Sequence, residues 1–455
     1  MPSIMTVSIV DISRRAALIV PLLLMGTHAG VVSAATTLVD LFDVSLDSDP
    51  EYQSAVAANL AAQELTPQAR SFLLPNLSAG GSVRHNYADV RRSNGPTGTT
   101  DWGDQQGDIS LTQPVYHHDL WVQLEQADLR TKQANADFAF ARQALMLRIS
   151  ERYFDVLRAR DQLAFAKAAL EAFGQQLKQA QQRFEVGLIA ITDVEEAQSG
   201  FDLATADVIA AENDLDNARE ALREVTGLYT TDLASLGDGM PLVSPDPADI
   251  NQWTETALRQ NLQIMAARHA AANAKEEINR NESGHYPTLD LVGRAKYFNS
   301  DGGIGSIATN NQTVDGTIGL QLNIPIYEGG LITSQTRESR HFYQQSLDDL
   351  ERQRRAVQRQ ARAAYLNLNS DISRVKALKQ AVKSTVSAKE AIDAGFQVGT
   401  RTSVDVLNAE RRVFEARRDL AFSRYDYIIN RLNLKQAAGT LSETDVEQVN
   451  SWLLP

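Results

Sequence analysis

Two long intervals of the chain keep apolar residues at helical spacing and contain no internal proline. They run from Pro114 to Pro241 and from Pro325 to Pro455, and both are rich in Ala, Gln, Glu, Arg and Leu. Within them apolar residues recur every three or four positions, as at Leu368, Ile372 and Val375. The pattern predicts very long helices in both intervals.

Glycine interrupts each interval near its middle, at Gly187 in the first and at Gly395 and Gly399 in the second. Each interval is therefore predicted to be a helical hairpin. The first arm, roughly residues 118–185, would be about 100 Å long at about 1.5 Å per residue. A helix of that length must pack laterally on its neighbours in coiled-coil fashion.

The segments that precede the hairpins have a period of two instead. Ile318, Leu320, Leu322 and Ile324 alternate with polar residues or glycine up to Pro325, which predicts a strand with one apolar face. Weaker alternation marks residues 77–87, 108–115 and 289–298 as further strands. The intervening segments 88–106 and 299–316 are rich in Gly, Asn, Asp, Ser and Thr, and are predicted to be exposed loops that join two strand hairpins.

The chain repeats itself at an offset of about 212 residues. Leu74-Pro-Asn-Leu77 recurs as Tyr286-Pro-Thr-Leu289, and Phe184-Glu-Val-Gly187 recurs as Phe396-Gln-Val-Gly399. Each half is predicted to consist of a helix, a strand hairpin and a long helical hairpin. The predicted organisation is a first repeat at 35–240, a second repeat at 241–440 and a C-terminal segment at 441–455.

The first 34 residues are predicted to be a secretory signal peptide. Arg14 and Arg15 precede an apolar run, and small residues close the segment as a cleavage site would. The alternative, a membrane anchor, is disfavoured because Pro21 interrupts the run, which is shorter than the ~20 residues of a spanning helix. Cysteine is absent, so neither a disulfide nor a lipid-anchored cysteine is possible.

The net charge narrows the classes of partner. The formal charge is −13, and because the leader contributes a net +1 the mature chain carries −14. This balance argues against nucleic acid and favours a surface or lumen that attracts cations, although ordinary solubility charge explains it equally well.

Four strands in one chain cannot close a membrane barrel. Their free edges would leave backbone groups unpaired in lipid, where each costs several kcal/mol. No other stretch of the mature chain is long enough for a transmembrane helix, so it is either soluble in the periplasm or crosses a membrane as strands. If it crosses, several chains must share one barrel, and three chains would supply twelve strands.

Several motifs, in this order along the chain, resemble the TolC-type family of outer membrane channels. They include Phe72-Leu-Leu-Pro-Asn-Leu77, Arg183-Phe-Glu-Val-Gly-Leu-Ile-Ala-Ile-Thr-Asp-Val194, His285-Tyr-Pro-Thr-Leu-Asp-Leu291 and Pro325-Ile-Tyr-Glu-Gly-Gly330. The resemblance covers about residues 40–445. It implies a mixed α and β membrane protein: a homotrimer with a twelve-stranded transmembrane β-barrel in outer membrane lipid, continuous with a long α-helical coiled-coil tunnel through the periplasm of a Gram-negative cell.

The resemblance also implies a function and partners. Family members act as exit ducts of tripartite efflux or type I secretion systems, and open when a periplasmic adaptor and an inner membrane transporter dock. The turns at the hairpin tips resemble the places where the adaptor docks, although glycine there has an equally good structural explanation because it permits the turn. These tips comprise Val186, Gly187 and Leu188 in the first hairpin, and Val398, Gly399 and Thr400 in the second.

Four residues near the tips resemble the gate of the family. Arg401 matches the arginine that ties the two hairpins together through the neighbourhood of Thr192 and Asp193, and Asp405 matches the first of two acidic rings at the closed entrance. The residues themselves also predict helix caps: a capping box of Thr192 with Glu195, and nearly one of Thr402 with Asp405.

Two departures from the family pattern concern the same gate. Phe396 stands where the family's type member has a latching tyrosine, so it lacks the hydroxyl, and Asn408 stands where that member has the second ring aspartate. Both changes are expected to weaken the resting gate or its affinity for cations.

Other chemistry finds little support in the sequence. His117, His118 and Asp119 suggest a metal site, but adjacent residues of a helix do not face one point, so no metal or other cofactor is expected. The chain lacks an evident nucleophile and base pair, phosphate loop or Cys/His cluster, so it is not expected to be an enzyme. The competing interpretation is a barrel-anchored coiled-coil spacer or adhesin, which does not account for the repeat with gate-like residues at both tips.

Overall fold

The structure, a computed structural model, describes residues 35–91, 98–237, 239–303 and 311–454. The predicted leader lies outside the described residues. The helices are α1 (Leu38–Ser48), α2 (Pro50–Gln63), α3 (Leu65–Ser71), α4 (His118–Glu185), α5 (Ile191–Thr226), α6 (Ile250–Gln260), α7 (Leu262–Glu282), α8 (Leu331–Gln397), α9 (Ser403–Ala438) and α10 (Glu443–Asn450). The strands are β1 (Asn76–Val90), β2 (Gly98–Tyr116), β3 (Ser235–Leu236), β4 (Thr288–Ser300), β5 (Asn311–Asn323) and β6 (Leu453–Leu454).

The two proline-free intervals form the predicted helical hairpins. Helix α4 spans 68 residues and begins and ends where the sequence predicted, and α8 spans 67. Helices α5 and α9 return from the tips over 36 residues each. Both return helices end at a glycine in the left-handed region, Gly227 at φ 68° and Gly439 at φ 77°, where a side chain would be strained.

The predicted loops 88–106 and 299–316 are wrong over much of their length. Strand β1 continues to Val90 and β2 already begins at Gly98, while β4 continues to Ser300 and β5 begins at Asn311. Their polar composition suggested loops, but the antiparallel ladder satisfies the backbone groups of these residues whatever their side chains. The centres of both predicted loops, 92–97 and 304–310, lie outside the described residues.

The long strands form one antiparallel sheet in the order β1-β2-β4-β5. One row of paired residues runs through Leu77, Leu111, Gly293 and Ile318, and successive rows alternate between an apolar and a polar face. The polar face carries rows such as Gly80, Asp108, Lys296 and Asp315, in which opposite charges are cross-strand neighbours. Strands β1 and β5 are the two edges of the sheet.

The helical core lies where α4 passes α1, the β3 region and α9. Leu145, Ile149, Tyr153 and Leu157, four residues apart on α4, are all fully buried. The hydroxyl of Tyr153 donates a hydrogen bond of 2.7 Å to the carbonyl oxygen of Ala234, so even the polar tip of this side chain is satisfied. Among the described residues, no helix is both long and apolar enough to cross a membrane.

Two equivalent residues, 212 positions apart, join helix ends in the two repeats. Asn261 ends α6 and begins α7: its Oδ1 accepts from the N–H groups of Gln263 and Ile264, at 3.0 and 3.3 Å. Its Nδ2 donates at 3.0 Å to the carbonyl oxygen of Ala437 at the end of α9. Asp49 ends α1 and begins α2, accepting from the N–H of Tyr52 at 2.7 Å.

Candidate functional site

The turns at the two hairpin tips have the same backbone geometry. Gly187 and Gly399 adopt φ of 74° and 79°. Each turn is closed by a hydrogen bond between residues five positions apart: Leu188 N donates to Arg183 O at 2.9 Å in the first hairpin, and Thr400 N donates to Gly395 O at 2.8 Å in the second. This is the Schellman arrangement that ends a helix with glycine. The predicted docking residues Val186, Leu188 and Val398 are 69%, 68% and 76% exposed, so both tips present apolar side chains to solvent.

Helix α9 begins with a complete capping box. Thr402 Oγ1 accepts from the N–H of Asp405 at 3.2 Å, and Asp405 Oδ2 accepts from the N–H of Thr402 at 2.9 Å. The backbone and side-chain hydrogen bonds from Thr402, together with the nearby charge of Arg401, lower the pKa of Asp405. The carboxylate of Asp405 is therefore ionised at neutral pH, and it remains partly exposed.

The capping box predicted for Thr192 and Glu195 is wrong. Helix α5 already begins at Ile191, so its N-cap is Ala190 and Thr192 lies in the first turn. Asp193, the repeat equivalent of Asp405, accepts from the N–H of Ala190 at 3.2 Å. Only this half of the box exists, because an alanine side chain has no oxygen to cap the helix.

The two hairpins contact each other through apolar and aromatic side chains. Leu407 of α9 packs into a buried cluster with Phe173 and Ala204 of the first hairpin. The guanidinium of Arg183, at the end of α4, lies 4.6 Å from the centre of the Phe396 ring, a cation–π contact between the two tips. Phe396 thus has a partner in the first hairpin that needs no hydroxyl.

Arg401 lies against the turn of its own hairpin. Its aliphatic portion covers Gly395, where an added Cβ would lie only 2.8 Å from Arg401 Cγ. A tie between the hairpins through Arg401 stays a prediction, and so does the ring of Asp405, which needs several chains.

Asn408 lies three residues after Asp405, almost one helical turn further along α9, and is exposed. The two side chains therefore lie on one side of the helix, at successive levels from the tip. A second ring of side chains would follow the first in this arrangement. At the position of that second ring the chain carries the amide of Asn408 in place of a carboxylate.

The histidines at the end of β2 take part in the sheet-to-helix junction. His117 Nε2 lies 3.1 Å from Asp290 Oδ1 of β4, and its Nδ1 lies 3.6 Å from Asp119 Oδ1. His118 instead packs edge to face against Tyr286, with ring centres 5.0 Å apart. In the part of the chain that the structure describes, no group of three or more His, Asp or Glu side chains is arranged to hold a metal ion.

Residues 41–228 and 253–440 match the outer membrane efflux protein family, and the chain belongs to this family. The outer membrane protein TolC of Vibrio cholerae is 40% identical over 431 residues, which are 94% of this chain and 96% of that protein. The alkaline protease secretion protein AprF of Pseudomonas aeruginosa is 29% identical, over 91% of this chain and 87% of that one.

The fold is also that of solved efflux channels. The structure of CusC aligns with a TM-score of 0.76 at 19% identity, over 89% of this chain and 92% of that chain. The described protein is thus an outer membrane protein of mixed helix and strand content, and an exit duct of the efflux and secretion class.

Proposed function

We propose that three copies of this chain form one transmembrane channel, with a twelve-stranded barrel in the outer membrane and a helical tunnel in the periplasm. The observation that carries the proposal is the open four-stranded sheet, whose edges β1 and β5 have no partner among the described strands. The strands alternate in direction across the sheet, so β5 of one copy can pair with β1 of the next in antiparallel register. Closure removes every edge.

The two faces of the sheet support the same arrangement. The apolar face, with Leu77, Leu111 and Ile318, suits outer membrane lipid. The opposite face carries Asp108 and Lys296, which would line a water-filled lumen. A spacer or adhesin anchored by the same barrel has no use for a charged interior, so the arrangement favours a duct over that alternative.

The periplasmic end supplies the gate in this proposal. Helix α4 alone extends about 100 Å at about 1.5 Å per residue, so the hairpin tips lie far from the sheet. The exposed tips at Gly187 and Gly399 would dock a periplasmic adaptor, which recruits an inner membrane transporter, while Asp405 and Asn408 line the entrance. The protein then acts as a channel and performs no catalysis of its own. Small molecules and secreted polypeptides are both proposed cargo, the latter because AprF is named for protease secretion.

Oligomeric state and conductance test the proposal together. The purified protein is expected to migrate as a heat-modifiable trimer or to be crosslinked as one, and to conduct ions across a planar bilayer once its gate opens. A spacer would form the trimer but would not conduct. A monomer that inserts and conducts alone would overturn the shared barrel.

The contact of Arg183 with Phe396 should help to hold the tips together. Arg183→Gln is expected to raise the resting conductance about two- to fivefold, because an exposed cation–π contact is worth about 0.5–1 kcal/mol. Arg223→Gln removes an exposed arginine from the far end of α5 and serves as the matched control. The resting current through single channels is the measurement, and equal currents in the two variants would show that the tips are held elsewhere.

A further inference from the structure

A lysine bridges the two helices of the second hairpin near its tip. Lys389 Nζ of α8 lies 3.4 Å from Glu410 Oε1 of α9 and 3.3 Å from Asp393 Oδ2 on its own helix. Partial burial would lower the pKa of Lys389, but the charges of Glu410 and Asp393 outweigh it and raise the pKa. One ammonium group thus joins a contact within a helix to a contact between helices.

In the first hairpin an ion pair between the arms lies further from the tip, where Lys167 Nζ of α4 is 3.0 Å from Glu212 Oε1 of α5. At the equivalent positions, 212 residues earlier, Lys389, Asp393 and Glu410 are replaced by uncharged residues: Leu177, Gln181 and Gln198. Two hairpins with nearly the same length and the same turn geometry therefore differ in the charges that join their two arms near the tip. The difference lies in the hairpin that carries the entrance residues, since Glu410 follows Asp405 by five positions and Asn408 by two.

We propose that Lys389 is a positioning residue that pins the start of α9 to α8, so that Asp405 and Asn408 stay at the entrance until the whole hairpin moves. This inference rests on the proposed duct. Without the bridge, α9 could shift along α8 by itself, and the entrance would lose its fixed geometry while the turn at Gly399 remained intact.

The side chain of Glu410 is only 19% exposed, against 32% for Lys389, so the interhelical contact is better shielded from water than an ordinary surface pair. Loss of such a contact shifts a two-state equilibrium by about two- to fivefold in each hairpin. In the proposed trimer three copies of the second hairpin surround one axis, so the effects on the gating equilibrium would multiply.

The test is the resting open probability of single channels in a planar bilayer. Lys389→Leu, which installs the residue of the first hairpin, and Glu410→Gln are expected to raise it about two- to fivefold or more, and Lys389→Arg is expected to restore the natural value. Asp393→Asn removes the carboxylate that pairs with Lys389 on the same helix but leaves the interhelical contact with Glu410, so a smaller rise in open probability is expected. Lys383→Leu, an exposed lysine of the same helix, is the control for surface charge.

The outcomes separate this inference from the proposed function. If the natural protein conducts and Glu410→Gln behaves like Asp393→Asn or Lys383→Leu, the bridge has no positioning role although the duct stands. If Lys389→Arg fails to restore gating, the charge of Lys389 is not what positions α9. If neither the natural protein nor Arg183→Gln conducts at all, the duct itself is wrong.

Discussion

In a planar bilayer, Asp405→Ala is expected to abolish block by the trivalent cation hexammine cobalt added from the periplasmic side. In the proposed trimer, three carboxylates surround one narrow axis, and a multivalent cation relieves their mutual repulsion. The capping hydrogen bonds of Thr402 lower the pKa of Asp405, whereas repulsion between the three carboxylates of the ring raises it, and block should weaken as the pH falls through the resulting pKa. The blocking concentration is expected to rise at least about tenfold, because three charges that act together are removed.

Two further variants separate the charge from the helix cap. Asp405→Asn keeps an oxygen that can accept the N–H of Thr402 but removes the charge, so it should lose block as fully as alanine does. Asn408→Asp adds a second ring about one turn along α9 and should tighten block relative to the natural protein. Glu415→Gln, an exposed acid further along the same helix, should leave block unchanged. Equal block in the natural protein and all four variants would mean that Asp405 is only a capping acid.

The helical hairpins could be predicted from the sequence because their signals are local. An interval without proline and with a helical period leaves few alternatives, and the first arm at 118–185 coincides with α4 (His118–Glu185). The strands were recognised by their alternation, but their ends were not. Polar residues such as Asp101 look like loop residues until Tyr87 is seen opposite, and that pairing depends on the register of the whole sheet.

The contacts between the two tips could not be predicted from the local sequence, for a similar reason. Arg183 and Phe396 are more than two hundred residues apart, and nothing in the neighbourhood of either names the other. The cap at Ala190 could have been found, because the repeat offset aligns Asp193 with Asp405 and Ala190 with Thr402. The same comparison exposes Lys389 as a charge with no counterpart in the first hairpin, so the repeat carries more information than either half alone.

Asp49→Ala is expected to destabilise the folded protein more than any other single change discussed here. Asp49 is 2% exposed, and both its oxygens accept from Arg148, with Nη2 at 2.9 Å from each. Removal of one partner from a buried ion pair costs about 3–5 kcal/mol, and loss of the cap to Tyr52 adds about 1 kcal/mol. Arg148 keeps a contact of 2.6 Å with Glu51, which lessens the penalty, so we expect a net loss of about 3 kcal/mol.

The equivalent joint in the second repeat provides the matched comparison. Asn261→Ala removes two accepted hydrogen bonds and the donated bond to Ala437, and is expected to cost about 2 kcal/mol. Asn261→Asp keeps the cap of α7 but replaces the donor by a negative charge at the end of α9, where the helix dipole is also negative. Position 360, the counterpart of Arg148, holds glutamine, so the arginine that neutralises Asp49 in the first repeat has no equivalent at that position. Asn261→Asp should therefore be destabilised although it copies the residue of the first repeat, whereas Asp49→Asn should lose less stability than Asp49→Ala because it still caps α2.

Unfolding midpoints of the detergent-solubilised protein measure all four variants. If Asn261→Asp were as stable as the natural protein, the joint would not depend on the amide donor that reaches α9.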